Sequence, residues 1–323
     1  MKAAVLGPNG IEIADVDKPA LQPGEVLIRV RASTLNRADL IVASGRPHGA
    51  VGGAGARIGL ECAGEIEAVG SGVTSLRPGD RVMATAAGGI AEYAVTDAGR
   101  VHPIPANNMS WEQAACFPVA LGTMHNALVT AGRLRPGETV LIQGASSGVG
   151  LMGMQIARLR GAALVIGTST DAARRARLAE FGCDLAVDTT RAEWPEQVTK
   201  ASGGRGVDLI VDMVSAALAN GNLAAAAVRG RIVNVGRLGG NVGPFDFDLH
   251  ALKRIDYVGV TFRTRTIEEI REINRLMRAD LWAAVQSGAL HLPVFTTFAL
   301  ADIAPALDTM KANRHFGKIA IVM

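Results

Sequence analysis

The part of the chain best suited to chemistry is a small-residue turn at residues 143–150, Gln-Gly-Ala-Ser-Ser-Gly-Val-Gly. An apolar run, Val140–Ile142, leads into this turn, and an apolar helical pattern follows it. Small residues let a backbone approach a pyrophosphate, and the N–H groups at a helix start offer the phosphates partial positive charge. The turn therefore predicts a dinucleotide site. The residues expected there are Ser146, Ser147, Gly148 and Val149.

The match to the G-x-G-x-x-G fingerprint is imperfect, because its three positions hold Ala145, Ser147 and Gly150. The same letters also fit the G-x-x-x-G-x-G turn of short-chain dehydrogenases. That class needs a catalytic tyrosine with a lysine four residues later. The two tyrosines of the chain, Tyr93 and Tyr257, have no lysine at that spacing, so the short-chain interpretation fails.

The residues after the next apolar run indicate which coenzyme the turn would take. Sites that prefer NAD carry an acid about 20 residues beyond the turn, at the end of the second strand. In this chain the strand ends at Thr168 and Ser169, and Asp171 falls in the following turn. Hydroxyl groups together with the guanidinium of Arg174 suit a 2′-phosphate. We therefore expect NADPH, the alternative being that Arg174 belongs to a solvated helix face.

The elements that would position this site change character along the chain. Residues 1 to about 115 alternate short β patterns with Gly, Pro and Asp turns, whereas later residues alternate apolar strands with helical patterns. Such alternation favours a parallel sheet covered on both faces. The later strands are expected at 139–143, 163–167, 185–188, 209–212, 231–235 and 257–260. The helices are expected at 149–160, 170–181, 194–202, 216–228 and 266–287, before a last strand at 318–322.

Length and composition set the class of protein. A chain of 323 residues, 49% of them hydrophobic, predicts two globular domains. The net charge of +3 is spread without like-charge runs, so neither a nucleic-acid nor a membrane partner is expected. No apolar run approaches the roughly 18 residues of a membrane span. Three widely spaced cysteines, with no recognisable leader, suit reduced thiols in a cytoplasmic protein.

Several short motifs occur together in one order. They are Leu35–Leu40, Gly59–Gly64, Leu76–Val82, Gly88–Tyr93 and Asn313–Lys318. In this order the chain resembles the zinc-independent quinone oxidoreductases of the medium-chain dehydrogenase/reductase superfamily. Residues 262–265, Phe-Arg-Thr-Arg, resemble a loop of the tumour-suppressor-inducible quinone oxidoreductase subgroup.

The resemblance implies an α/β fold in which a Rossmann domain, a doubly wound parallel sheet, is inserted in a β-rich GroES-like catalytic domain. The Rossmann domain would span residues 117–261, and the catalytic domain 1–116 and 262–323. The resemblance also implies a homodimer that pairs the edge strand Tyr257–Val260 of two chains, which would satisfy exposed backbone groups.

Zinc is not expected. A catalytic zinc needs about three converging Cys, His or carboxylate ligands. In zinc-dependent relatives those ligands fall at the positions of Asn36, Leu60 and Val119, which in this chain carry no thiol or imidazole. Glu61 alone cannot hold the metal, and the six histidines show no ligand spacing.

The resemblance assigns roles to further residues. It implies that Asn36 and Thr123 lie near the nicotinamide, where the Asn36 amide would donate to a carbonyl oxygen. The alternatives are that Asn36 caps the helix that begins at Arg37, and that Thr123 bonds to its own backbone. His48 is a possible proton donor or a plain surface residue. The other expected cofactor contacts are Val214, Gly236, Phe262, Arg263 and Asn313.

These observations predict zinc-independent, NADPH-dependent reduction of a quinone or a small conjugated carbonyl compound. The aromatic residue that often flanks the quinone in the family is replaced by Pro47. Two alternatives stay open: a 2-enoyl thioester or alkenal reductase, and an NADPH-binding protein without catalytic activity.

Overall fold

The computed structural model describes residues 1–8, 10–49, 52–53, 55–106 and 108–323. The chain divides into two compact units. Unit 1 comprises Met1–Val119 and Phe262–Met323, and unit 2 comprises Ala120–Thr261. The boundaries thus lie after residues 119 and 261, whereas the sequence predicts them after residues 116 and 261.

Fifteen strands and ten α-helices make up the described part of the chain. The strands are β1 (Lys2–Gly7), β2 (Gly10–Asp15), β3 (Glu25–Thr34), β4 (Glu61–Val69), β5 (Arg81–Thr85), β6 (Tyr93–Asp97), β7 (Val101–Pro103), β8 (Thr139–Ile142), β9 (Leu164–Thr168), β10 (Leu185–Val187), β11 (Val207–Asp212), β12 (Ala226–Asn234), β13 (Asp256–Gly259), β14 (Val294–Ala299) and β15 (Lys318–Val322). The helices are α1 (Arg37–Ala43), α2 (Trp111–Ala115), α3 (Phe117–His125), α4 (Gly148–Leu159), α5 (Ala172–Ala176), α6 (Trp194–Ala201), α7 (Ala219–Ala225), α8 (Phe247–Lys253), α9 (Ile267–Gln286) and α10 (Ile303–Lys311).

Unit 1 is built on a sheet in the order β14-β15-β3-β4-β5-β7, with β6 also paired to β3. The alternation in β3 buries Val26, Ile28 and Val30 against the core, as a half-buried strand requires. The last strand, β15, pairs antiparallel to β3, with Ile321 opposite Ser33. This pairing brings the two ends of the chain into one sheet and sets the start of β15 beside the end of β3.

Unit 2 contains a parallel sheet in the order β10-β9-β8-β11-β12-β13. Its central strands are apolar runs buried on both faces, as in Val140–Ile142, which is typical of a parallel sheet covered by helices. The carboxyl ends of β8, β9 and β11 lie along one edge of the sheet, where α/β proteins bind their ligands. β13 is at the margin of the sheet. The predicted fold class, a Rossmann-like sheet joined to a β-rich GroES-like domain, is confirmed.

Two of the expected helices are wrong in extent. The helix expected at 216–228 is a 3₁₀ turn followed by α7, and β12 begins at Ala226, which pairs with Val207. The helix expected at 170–181 is divided into α5 and a 3₁₀ turn at Leu178–Phe181. Gly182 ends that turn with φ +85°, a left-handed conformation that glycine adopts without strain.

One helical stretch, Trp111–Ala131, is long and apolar enough to cross a membrane. Its most apolar window is 72% buried inside the structure, as is typical of a core helix. Length and composition alone are weak evidence for a membrane span.

Candidate active site

A buried carboxylate organises the polar centre of unit 1. Glu61, at the start of β4, is fully buried. Its Oε1 accepts hydrogen bonds from Thr34 Oγ1 at 2.6 Å, Asn36 Nδ2 at 2.8 Å and Lys318 Nζ at 2.6 Å. Its Oε2 accepts the backbone N–H of Val119 at 2.8 Å. Four donors therefore satisfy the two oxygens, which a charged group without solvent requires.

Lys318 and Glu61 together determine how the Asn36 side chain is oriented. The Lys318 ammonium, 4% exposed, also donates to Asn36 Oδ1 at 2.9 Å. An ammonium only donates and a carboxylate only accepts, so Oδ1 must face Lys318 and Nδ2 must face Glu61. Nδ2 also lies 3.4 Å from the Thr34 carbonyl oxygen, longer than the usual ~3 Å of an N–H···O bond.

Asp39 fixes the backbone at Asn36 and at Gly59, next to this cluster. It lies in the first turn of α1, where its Oδ2 accepts the Asn36 N–H at 2.7 Å and its Oδ1 accepts the Gly59 N–H at 3.2 Å. Burial raises the pKa of the Asp39 carboxyl to about 7, although these N–H groups and the Lys318 charge act in the opposite direction. Asn36 occupies the cap position of α1, as the alternative interpretation expected, but its side chain bonds to Glu61 and Lys318.

The predicted phosphate turn of unit 2 joins β8 to α4. Ser147 is the N-cap of α4: its Oγ accepts the Gly150 N–H at 3.1 Å and donates to the Gly144 carbonyl at 2.9 Å. A Cβ at Gly150 would lie 2.6 Å from Ala145 Cα, so only glycine fits. Gly148 and Val149 are the first residues of α4. The helix start with its close backbone approach fits a dinucleotide pyrophosphate.

A chain of buried side chains supports the turn from below. Gly144 N–H donates to Thr168 Oγ1 at 3.0 Å, and this hydroxyl donates to Gln143 Oε1 at 2.7 Å. Gln143 Nε2 then donates to Asn222 Oδ1 at 2.7 Å, and Asn222 Nδ2 donates to Asp212 at 2.9 Å. Sequence reasoning misses Gln143, Asn222 and Asp212, because nothing in a single polar residue of an apolar strand indicates its distant partner.

This chain of hydrogen bonds changes the interpretation of Thr168. Its hydroxyl was expected to face the 2′-phosphate, but Thr168 is 1% exposed and its Oγ1 takes part in both bonds of the supporting chain. Ser169 Oγ lies 3.1 Å from Ser146 Oγ, so these two expected contacts do come together.

The two neighbouring arginines near the end of β9 differ. Arg175 is engaged, because it donates to the Ser169 carbonyl at 2.7 Å and lies 3.0 Å from the Asp188 carboxylate. The Arg174 side chain is 15% exposed, with Nε 3.7 Å from the Asp171 carboxylate. Arg174 is therefore largely covered rather than fully solvated, contrary to the alternative of a solvated helix face.

The loops after β11 and β12 are joined by hydrogen bonds. Asp212 Oδ1 accepts the N–H groups of Val214 at 2.8 Å and Ser215 at 2.9 Å, and Ser215 Oγ donates to the Gly236 carbonyl at 3.0 Å. Ser215 has φ +69°, a conformation that strains a residue with a Cβ. At Gly236 a Cβ would lie 2.7 Å from the Met213 carbonyl oxygen. The expected residues Val214 and Gly236 thus belong to one tightly constrained pair of loops.

The remaining candidates belong to other elements of the two units. Thr123 is half-buried in α3 within unit 2, and His48 is half-buried in the loop after α1. Phe262 and Arg263 are exposed at the start of the second segment of unit 1. Asn313 has φ +54° after α10, and its Oδ1 accepts a hydrogen bond from Arg37.

Comparison with known proteins gives the family of this arrangement. Residues 22–106 match the alcohol dehydrogenase GroES-like domain, and residues 148–279 match the zinc-binding dehydrogenase domain. A mycobacterial protein solved in complex with NADPH is similar over 100% of both chains, with a TM-score of 0.88 and 28% identity. This chain belongs to the medium-chain dehydrogenase/reductase superfamily. Its two domains are of the types found in the dehydrogenases and reductases of that superfamily.

Two further relatives of this chain bear on its function. A quinone oxidoreductase of Pseudomonas syringae pv. tomato is similar over 100% of both chains, with a TM-score of 0.86 and 26% identity. A mycocerosic acid synthase-like polyketide synthase of Mycobacterium tuberculosis is 28% identical over 321 residues. That match covers 96% of this chain but only 15% of the synthase, so the chain spans a small part of this curated relative.

One of the matched domains is described as zinc-binding, so we asked whether the residues around Glu61 could hold a catalytic zinc. The Asn36 amide and the Val119 backbone N–H, at two of the places where the sequence resemblance implies zinc ligands in relatives, both donate to Glu61. Lys318 Nζ, a cation, already lies 2.6 Å from that carboxylate. Across the described part of the chain, no three His, Cys, Asp or Glu side chains are grouped to hold a metal. These residues do not fit a catalytic zinc.

Proposed function

We propose that the chain is an NADPH-dependent, zinc-independent reductase of quinones or small conjugated carbonyl compounds. The observation that carries this proposal is the cluster of the half-buried Asn36 with the buried Glu61 and Lys318. Near one position where zinc-dependent relatives are expected to hold a metal ligand, this chain has Asn36, whose amide lies between the Glu61 carboxylate and the Lys318 ammonium. The quinone oxidoreductase among the similar structures supports the substrate class.

A bound nicotinamide coenzyme supplies the hydride that such a reduction needs. The protein's part is to position the acceptor and to stabilise the negative charge that develops on its oxygen. Asn36 is the donor proposed for that oxygen, through the Nδ2 hydrogen that faces Thr34 O at 3.4 Å. The proton that completes the reduction would come from solvent or from His48, whose side chain is half-buried.

The coenzyme would lie against the turn between β8 and α4. Ser146, Ser147 and Ser169 offer hydroxyl groups near this turn, and Gly150 allows the backbone to approach closely. We propose that Arg174, which follows Ser169 by five positions and whose side chain is 15% exposed, binds the 2′-phosphate of NADPH. The NADPH complex of the similar mycobacterial protein supports this preference.

The test of the reaction is NADPH oxidation followed by absorbance. The acceptors are a benzoquinone, a bulky ortho-quinone, a simple alkenal and an enoyl thioester, each assayed with NADPH and with NADH. We expect turnover with NADPH and a quinone or enone, unchanged by a zinc chelator. Turnover that disappears with chelation and returns with added zinc would refute the zinc-independent mechanism.

The test of coenzyme preference is a matched pair of variants. Arg174→Ala is expected to weaken NADPH binding about 10-fold or more and to leave NADH binding unchanged, because one charge-assisted phosphate contact is lost. Arg177→Ala is the control, since Arg177 is exposed and paired with Glu180 at 2.9 Å. Equal loss of NADPH and NADH binding in Arg174→Ala would show that Arg174 does not recognise the 2′-phosphate.

Two alternatives are distinguished by the same assay. The polyketide synthase with a similar segment favours a 2-enoyl thioester reductase, because a polyketide chain is assembled as a thioester. Faster turnover of the enoyl thioester than of any quinone would support that alternative. A rise in melting temperature with NADPH, without oxidation by any acceptor, would instead indicate an NADPH-binding protein.

We also propose that the chain is a homodimer, paired through the marginal strand β13, and that it works in the cytoplasm without nucleic-acid or membrane partners. The backbone groups on the outer side of β13 support the pairing. The three cysteines support a reducing compartment, because Cys62, Cys116 and Cys183 are all buried and unpaired. Burial raises the pKa of the first two thiols to about 12, which keeps them unreactive.

A further inference from the structure

We propose that the opposite charges of Glu61 and Lys318 are positioning groups that hold the Asn36 amide in one orientation, so that an Nδ2 hydrogen is kept for the substrate oxygen. This inference rests on the proposed function and deepens it. It assigns a role to Lys318, which no sequence motif connects with catalysis, and to Glu61, which is retained although no zinc fits beside it.

The first argument is that the orientation follows from the charges. An asparagine side chain can turn over and exchange its oxygen with its nitrogen when its neighbours can both donate and accept. Lys318 can only donate and Glu61 can only accept, so the turned amide would place oxygen against carboxylate and nitrogen against ammonium. Both partners are buried, hence solvent cannot relieve that conflict.

The second argument is that the rest of Asn36 is already fixed. Asp39 holds its backbone N–H at 2.7 Å, and Asn36 is the cap residue of α1. The remaining freedom is therefore that of the side-chain amide, and Glu61 and Lys318 remove it with contacts of 2.8 and 2.9 Å. An ammonium at Oδ1 also polarises the amide and strengthens its N–H groups as donors.

The third argument is that stability alone does not account for the pair. A buried ion pair often contributes no more than well-packed apolar residues of the same volume. Glu61 and Lys318 are 257 positions apart in the chain, so local structure does not require the contact either. A role in orienting a polar group explains why both charges are placed at the one amide they share, that of the half-buried Asn36.

The experiment compares the wild type with the double variant Glu61→Gln, Lys318→Gln. This variant removes both charges together, so no unpaired charge is left to unfold the protein, and it keeps groups that form hydrogen bonds. Two amide partners accept Asn36 in either orientation. We expect kcat to fall about 10-fold or more with KM for NADPH unchanged, since misorientation of one donor affects the reacting oxygen alone. An unchanged kcat would overturn the proposal.

Two measurements separate positioning from a general structural effect. In an Asn36→Ala background, which itself should lose about 100-fold in kcat, removal of both charges is expected to have no further effect. If removal of both charges lowered kcat by the same factor in the Asn36→Ala background as in the wild type, the proposal would be overturned. Glu138→Gln with Arg231→Gln is the control, because this 2.7 Å ion pair of unit 2 lies outside the proposed site and its loss should leave kcat unchanged.

The last measurement is independent of turnover. In coenzyme-free protein labelled with ¹⁵N-asparagine, the two Asn36 Nδ2 hydrogens should give one well-resolved pair of signals, which becomes two populations or an average in the charge-free variant. A retained single pair would overturn the inference. If the wild type reduces no acceptor, the proposed function fails, and this spectrum still decides whether the charges orient the amide.

Discussion

His102 provides the sharpest test of the physical reasoning, because a buried titratable side chain makes folding stability depend on pH. It lies in β7, is 2% exposed, and packs against α9, where its ring centroid is 5.5 Å from that of Trp282. The pKa of His102 is lowered from its ordinary 6.5 to about 4, first by burial and second by the charge of Arg278, while a hydrogen bond with Asn274 raises it. The perturbation is His102→Gln, which keeps a hydrogen-bonding side chain but cannot titrate.

The sign follows from proton binding. The folded pKa lies below the unfolded one, so between about pH 4 and pH 6.5 the unfolded chain holds the proton that folded His102 lacks. The stability contributed by a neutral His102 is therefore complete above pH 6.5 and is lost as pH falls. Each pH unit inside this window is worth about 1.4 kcal/mol. From pH 7 to pH 5 the loss amounts to about 2 kcal/mol.

The assay must separate the effect of His102 on the pH dependence of stability from the effect of Asp39, which has the opposite sign. The folded pKa of Asp39, about 7, lies above its ordinary 3.8, so its contribution to stability is lost as pH rises through that window. The measured quantity is therefore the difference in unfolding free energy between variant and wild type, from urea titrations at pH 5 and pH 7. Asp39 is common to both proteins and cancels.

We expect the variant to gain about 2 kcal/mol relative to the wild type on going from pH 7 to pH 5. His291→Gln, at an exposed position, is the control for the loss of a histidine as such. A difference for His102→Gln that is the same at both pH values would refute the argument that burial keeps His102 neutral.

Three further predictions test other parts of the structure. Lys253→Met should lower the free energy of unfolding in urea by about 2 kcal/mol, because Lys253 Nζ donates to three carbonyl oxygens at the end of α7 within 3.0 Å. Lys200→Met, at an exposed position, is the control, and an equal loss in both variants would contradict the role of these hydrogen bonds. Gly150→Ala should weaken NADPH binding at least about 10-fold in calorimetry, because its Cβ would displace the turn that receives the phosphates; unchanged affinity would move the coenzyme elsewhere. Gly259→Pro should give a folded monomer in light scattering. The Val260 N–H donates inward to β12, so the N–H of residue 259 lies on the outer edge of β13, and proline removes this outer donor without breaking a bond inside the sheet. A retained dimer would exclude pairing through β13.

Much of the fold could be predicted because its patterns are local. The alternation in residues 25–31 and the apolar run at 139–142 identify a half-buried and a fully buried strand. The expected helix at 216–228 was wrong at its end, because the alanine-rich stretch around Ala226 locally favours a helix. The strand conformation of Ala226 is instead determined by its pairing with Val207, which lies 19 positions earlier in the chain.

The candidate site was predicted only in part, for the same reason. Asn36, Glu61 and the serines of the turn carry recognisable motifs. Their partners could not be predicted from motifs. Lys318 ends the Asn313–Lys318 motif, but it joins Glu61 only through the pairing of β15 with β3, and Gln143 is one polar residue after an apolar strand. The finer subgroup and the acceptor class, a quinone or a small conjugated carbonyl compound, stay predictions.

The hydrogen bonds of Thr168 have a consequence for engineering. Redesign of coenzyme choice usually begins at the last residue of the second strand, where an acid favours NAD. In this chain that residue supports the Gly144 N–H and the Gln143 amide from inside the protein. Thr168→Asp would therefore disturb the turn for both coenzymes before it discriminated between them. Substitutions that change the preference between NADPH and NADH are therefore expected first at Ser169 and Arg174. These residues can change without disturbing the turn that binds either coenzyme.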